Sequence, residues 1–144
     1  MTYQLERSAI ERFVDAEWGD RTPIHFDGHT QDIVGDCIRL TIQPAEVLQA
    51  SIGRTANRID HVGLLQIQII VAGGEGSSGW RKYAEELETI LFNARIKSDG
   101  LPATTNEFIR FSPNHQHPYL SGVISDIPYI IATLNAPFVR YAYK

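Results

Sequence analysis

The strongest constraint on the fold is a pair of segments with two-residue periodicity, Ile38–Gln43 and Gly63–Ala72, which flank a polar loop. In the second segment the odd-numbered positions from Leu65 to Val71 are apolar, whereas Gln66 and Gln68 fall between them. Successive side chains of a strand point to opposite faces, so this alternation predicts strands with one buried face and one wetter face. The sheet is therefore expected to have a second face that is wet or meets a partner.

Two other segments repeat apolar residues at helical spacing. The first, about Tyr3–Trp18, ends at Gly19, and the second, about Ser77–Ala94, follows the glycine-rich stretch Gly73–Gly79. An apolar stripe opposite charged positions is typical of a helix that packs one side on a core. We predict two such helices.

Shorter strands are predicted at Pro23–Phe26 and Phe108–Phe111, and Tyr129–Tyr143 is predicted as one or two strands, interrupted near Pro137 because proline cannot donate to a ladder. This order lacks the strict strand-helix alternation of a doubly wound parallel sheet. The sequence predicts an α+β class, with two helices packed on one face of a mainly antiparallel or mixed sheet, in a single domain that spans residues 1–144.

Composition narrows the function classes. Hydrophobic residues make up 43% of the chain and charged residues 21%, which fits one folded domain. A net charge of −4 argues against a broad basic face for nucleic acid. The single cysteine, Cys37, excludes an internal disulfide and fits a reducing cytoplasm. We find neither a signal peptide nor the run of about 20 apolar residues that crosses a bilayer, and expect a soluble protein with no membrane partner.

The segment Gly74–Gly79 matches G-x-G-x-x-G between a strand and a helix, an arrangement that can hold pyrophosphate. Glu75 would place a negative charge beside that phosphate, and the chain has no room for a second mononucleotide-binding half. We favour a simple β-to-α connection. A nucleotide-binding enzyme that uses this turn is the alternative, and the missing G-K-[ST] excludes a P-loop.

Histidines and the cysteine suggest no active site. His115 and His117 could offer two metal ligands with Asp27 or His29, but prolines flank the pair and favour a solvated loop. Cys37, at a strand start, is expected to be a small core residue rather than a nucleophile. We therefore predict no catalytic, cofactor-binding or metal-binding residues, and no enzyme.

Five segments of the sequence, taken in order, form a recognisable succession: Pro23–Phe26, Ile38–Glu46, Gln49–Gly53, Gly63–Ile69 and Gly73–Gly76. In these segments the chain resembles the tail-terminator-like proteins of long-tailed phages and prophages. The resemblance runs from the first helix to the second and is weaker after Gly100.

The resemblance implies a small α+β virion protein that forms a ring, a hexamer as in lambda-like tail terminators, at the head-proximal end of the tail. Such a ring caps the tail tube and then joins it to the filled head. The implied partners are copies of the chain, the tail tube protein and a head-completion or connector protein, with DNA only passing through the lumen. Assembly would occur in the host cytoplasm. Another neck or head-completion protein is the alternative, and the segment Leu101–Asp126 departs from the resemblance.

The polar loop Pro44–His61 shows no helical or strand period of its own and is longer than ordinary connections. We predict that it is an arm that contacts a neighbouring subunit or the tail tube and becomes ordered on assembly. A merely mobile hairpin loop is the alternative. The candidate contact residues are Gln49, Ser51, Arg54, Asn57 and Arg58.

Overall fold

The structure is a computed structural model that describes residues 2–26, 35–49, 58–72, 78–104, 107–113, 116–126 and 128–143. It contains two helices, α1 (Thr2–Trp18) and α2 (Ser78–Leu91). The strands are β1 (Ile24–His25), β2 (Cys37–Gln49), β3 (Arg58–Ala72), β4 (Arg95–Ile96), β5 (Ile109–Phe111), β6 (Tyr119–Asp126) and β7 (Tyr129–Tyr143). The predicted α+β class is confirmed.

The strands form one mixed sheet in the order β1-β2-β3-β7-β5-β4, with β6 also paired to β7. Among the described strands, only β1 runs parallel to its neighbour, β2, and the other pairs are antiparallel. β5 and β6 lie on the same side of β7. β6 pairs with Tyr129–Asn135, and β5 pairs with Phe138–Arg140.

The two helices cover one face of the sheet. On this face β3 contributes Leu65, Ile67 and Ile69, each fully buried, as the alternation predicts. The stripe predicted for the second helix also enters the core. Its fully or nearly fully buried members are Trp80, Ala84, Leu87 and Leu91, and Tyr83, Ile90 and Ala94 pack against them. Neither helix in the described residues is long and apolar enough to cross a bilayer.

We call the sheet face opposite the helices the outer face. Cross-strand partners share a face, so the register gives its residues. One row across the sheet consists of Arg39, Gln68 and Thr133, and the next consists of Thr41, Gln66 and Asn135. The predicted placement of Gln66 and Gln68 away from the core is confirmed, and the middle of the outer face is polar.

The predicted interruption of the last strand near Pro137 is wrong, because β7 is continuous. Ser112 donates its backbone N–H to the Pro137 carbonyl oxygen at 3.0 Å. Since the nitrogen and oxygen of a strand residue point to the same side, the proline nitrogen also points toward β5 and β6 rather than β3. It lies at the junction between those two strands, where the missing donor breaks no bond to β3.

The prediction of an irregular loop over Pro44–His61 is wrong for the parts of this segment that the structure describes, 44–49 and 58–61. β2 continues to Gln49, β3 begins at Arg58, and Val47–Gln49 pair with Ile59–His61. A bulge between Pro44 and Val47 shifts the register. A bulge adds one residue to a strand and reverses which positions face the core, so it hides the two-residue period.

Gly63 allows the close approach of two strands in this region. A Cβ atom built on Gly63 would lie 2.5 Å from Cζ of Phe138, its cross-strand partner. Phe138 is fully buried, so its ring has little freedom to move. The glycine is therefore needed where β3 and β7 meet beneath the helices.

Candidate functional site

The structure places two of the five predicted contact residues on paired strands. Gln49 is the last residue of β2 and lies opposite Ile59, and Arg58 is the first residue of β3 and lies opposite Tyr143. The other three, Ser51, Arg54 and Asn57, lie outside the described residues. The predicted arm is thus a β-hairpin whose strands continue the sheet.

Contacts within the chain hold the Arg58 side chain on the outer face. Its Nε lies 3.1 Å from Oδ1 of Asp60, and its guanidinium carbon lies 5.1 Å from the ring centroid of Tyr141. An exposed ion pair of this kind contributes little to stability, about 0–1 kcal/mol. Its effect is to fix the orientation of the guanidinium.

Arg58 borders a cavity of about 540 Å³ on the outer face. Two rows of cross-strand partners form its floor. The first row is Arg110, Val139 and Val62, and the second is Tyr141, Asp60 and Leu48. We call this the arginine cavity. Leu48 is 50% exposed, so the cavity combines an open apolar wall with charged groups.

Arg110 lacks a counter-charge in the part of the chain that the structure describes. It pairs with Arg95 across β4 and β5, and the buried partners Ile96 and Ile109 place both arginines on the outer face. Neither arginine forms an ion pair with a described acid, and Nε of Arg110 is buried without a hydrogen-bond partner. Like charges directly opposite each other in a sheet are destabilising.

A second unusual surface is β6. Its outer edge has no strand partner among the described residues, and the sequence Tyr119–Asp126 contains no proline or lysine. Four large apolar side chains are exposed along it: Tyr119 at 50%, Leu120 at 38%, Val123 at 48% and Ile124 at 61%. Edge strands of soluble proteins are normally short, charged or bulged, and β6 does have a bulge, between Leu120 and Gly122. Its exposed apolar side chains are nevertheless typical of an interaction surface.

The other groups considered in the sequence form no reactive cluster within the described ranges. Cys37 is buried, as predicted, and burial raises the pKa of its thiol, which disfavours the nucleophilic thiolate. The ring of His117 stacks on Phe92 with centroids 4.7 Å apart. His115, Asp27 and His29 lie outside the described residues, as does most of Gly74–Gly79, and the described residues hold no cluster of three metal-ligating side chains.

The face toward the helices contains a buried ion pair. Nε of Arg140 lies 3.1 Å from Oε1 of Glu6 on α1, with 0% and 6% of the two side chains exposed. The guanidinium carbon also lies 5.2 Å from the ring centroid of Tyr3. Burial raises the pKa of Glu6, although the hydrogen bond and charge of Arg140 oppose this shift.

No family model and no curated protein matches this sequence. One solved structure of another protein superposes on the whole chain with a TM-score of 0.70. The match covers 100% of this chain and 99% of the other, at 18% sequence identity. Similarity at this level establishes the fold alone.

Proposed function

We propose that the chain is a structural virion protein that forms a ring at the end of a phage tail tube. In this role it stops tail growth and helps to join the tail to the head. The phage resemblance gives the ring and its place in the particle. In the structure, the observation that best supports an assembly role is β6, an edge strand with four exposed apolar side chains.

An exposed strand edge favours an assembly subunit because its backbone N–H and C=O groups can pair with another chain. Burial of the exposed side chains of β6 would add a hydrophobic contribution of about 25 cal/mol per Å² of apolar surface. The hairpin that carries Gln49 and Arg58 offers a further contact for the next subunit or the tail tube. The proposed function requires surfaces that bind other chains, and it does not require a reactive group.

The test is particle assembly in a phage or prophage that encodes the chain. Disruption of its gene should give filled heads without tails and tails of variable length, because nothing caps the growing tube. Supply of the wild-type chain should restore joined particles of uniform tail length. Negative-stain electron microscopy measures both outcomes. Normal virions formed without the chain would overturn the proposal.

A second test concerns the hairpin. The double substitution Arg54→Glu with Arg58→Glu should prevent complementation while the purified subunit keeps its thermal unfolding midpoint to within a few degrees. The matched control is Arg12→Glu with Lys97→Glu, which makes the same charge change at two exposed residues away from the hairpin. Full complementation by the Arg54/Arg58 variant would exclude the hairpin from the contact.

A further inference from the structure

We propose that the arginine cavity of one copy receives the exposed acidic side of α2 from the next copy. This inference rests on the proposed function, because it names the contact that closes the ring. It predicts a head-to-tail interface between the outer face of one subunit and the helix layer of its neighbour.

Arg110 and Arg95 are the residues that make the cavity suited to an acidic partner. Arg95 and Arg110 are cross-strand partners, and neither forms an ion pair with a described acid, so their like charges disfavour each other in the isolated subunit. A carboxylate placed between them would remove that repulsion and accept charge-assisted hydrogen bonds. Arg95 is exposed, and Arg110 is half-buried and lines the cavity, so a carboxylate from outside can reach this pair. An added anion would therefore stabilise this pair of arginines.

The anion is better matched by a protein carboxylate than by nucleic acid. Affinity for DNA comes from many phosphates neutralised together, and the cavity offers few arginines. Asp60 and Glu46 also line it, and Asp60 is paired with Arg58, so the cavity lacks the concentrated positive charge that a phosphate backbone needs. Leu48, which is exposed, provides an apolar wall that a polypeptide can cover. These features fit a short acidic and partly apolar protein surface.

The exposed side of α2 has this composition. Glu85 and Glu88 border two adjoining surface hollows, one containing Leu120 and the other Phe92. Phe92 is 52% exposed, and neither glutamate forms an ion pair with a described residue. Arg81 also lines the first hollow, which leaves two carboxylates to one cation there. The surface therefore offers a surplus of carboxylate beside apolar groups, which complements the charges and the open wall of the arginine cavity.

The positions of the two surfaces decide the type of assembly. α2 packs on one face of the sheet and the arginine cavity lies on the other, so one copy can use both surfaces at once. A contact between different patches is heterologous, and repeated copies form a ring where the rotation closes. A two-fold dimer would bring each patch against itself and place like charges together.

The experiment uses two charge-reversed variants of the full chain. The cavity variant carries Arg110→Glu in the cavity lining and Arg95→Glu at its cross-strand partner, next to the cavity. The helix variant carries Glu85→Lys with Glu88→Lys. Each should associate more weakly than the wild type by a factor on the order of a hundred, because it places like charges at every interface. Size-exclusion chromatography with light scattering measures the mass of each species.

The decisive experiment measures the association of an equimolar mixture of the two variants. The glutamates in the cavity of one variant face the lysines on α2 of the other, and the remaining interface is wild type. The mixture should regain association that neither variant shows alone. A folding defect cannot produce this recovery. Arg12→Glu with Lys97→Glu is the matched control and should associate like the wild type.

Three results would overturn the inference: a wild-type chain that stays monomeric at all concentrations, a cavity variant that assembles normally, or a mixture that remains monomeric. Failure of the proposed function is separate from these results. If the mixture of variants associates in solution but disruption of the gene still gives normal virions, the contact is supported and the tail role is rejected. Tail defects without paired rescue would keep the role and reject this contact.

Discussion

Two arginines on adjacent strands have opposite surroundings. Arg140 on β7 points toward the helices, is fully buried and pairs with Glu6. Arg110, on β5, pairs in register with the neighbouring Val139, points to the outer face and forms no ion pair with a described acid. The first arginine is matched to an acid within the chain, whereas the second lacks one. Identical side chains therefore serve the fold on one face and are available to a partner on the other.

The sharpest test of this contrast is to remove each guanidinium in turn. Arg140→Ala should lower the free energy of unfolding by about 3–5 kcal/mol, because it leaves the buried Glu6 without its counter-charge. Chemical denaturation monitored by circular dichroism gives the value. A loss below about 1 kcal/mol would mean that the buried pair is not part of what holds α1 on the sheet.

The packing of the helix face can be compared with the open edge by adding one methyl group to each. Gly63→Ala should cost about 1–3 kcal/mol, since the new Cβ would overlap the Phe138 ring. Gly122→Ala on β6 is the control, because a Cβ there has no atom within 4 Å. It should be neutral or slightly stabilising, by up to about 1 kcal/mol. Equal effects at both glycines, measured by thermal and chemical unfolding, would contradict the close approach of β3 and β7.

On the outer face, Arg110→Ala should change the stability of the isolated subunit by less than about 1 kcal/mol, and in the stabilising direction. The reason is that it removes a like-charge pair with Arg95. The same denaturation assay used for Arg140→Ala checks the sign. A clear destabilisation would show that Arg110 is already paired within its own subunit.

The smallest expected effect is a pH dependence from Glu6. Its raised pKa means that the folded chain holds this proton more tightly than the unfolded chain does. Its contribution to stability is therefore fully present below the ordinary carboxyl value of 4.5 and is lost as the pH rises through the raised pKa. Relative to Glu6→Gln, the wild type should lose stability over this window. A difference that is flat or grows with pH would contradict the shift.

The elements with clear periodicity were predictable from the sequence, and those that depend on long-range pairing were not. The stripes of α1 and α2 and the alternation in β3 each follow from residues close together in the chain. β6 was missed because Ser121, Gly122 and Ser125 interrupt any apolar alternation, and the strand is held only by its pairing with β7. Pro137 led to a wrong prediction because a proline is tolerated within β7 where no partner strand needs its missing N–H group. That position depends on where β5 and β6 end.

The candidate site shows the same division. Arg58 was proposed from its place in a polar segment, and the structure puts it at the border of the arginine cavity. Nothing in the sequence predicts that Arg95 and Arg110 are cross-strand partners. Their pairing depends on the register of two short strands, β4 and β5, which are distant from the hairpin in the sequence. The sequence also cannot show that Arg110 on β5 and Arg140 on β7 point to opposite faces of the sheet, because this follows from the register of the two strands.

The central claim is that the outer face of one copy meets α2 of the next, and chemical crosslinking tests it most directly. Gln116, in the cavity lining, and Thr89, on α2, are exposed and carry no charge, whereas the native Cys37 is buried. A chain with both Gln116→Cys and Thr89→Cys, treated with a short thiol crosslinker, should give a ladder of covalent multimers that ends at the ring size. Either single variant should give no ladder. A double variant that forms no product beyond those of the single variants would contradict the account.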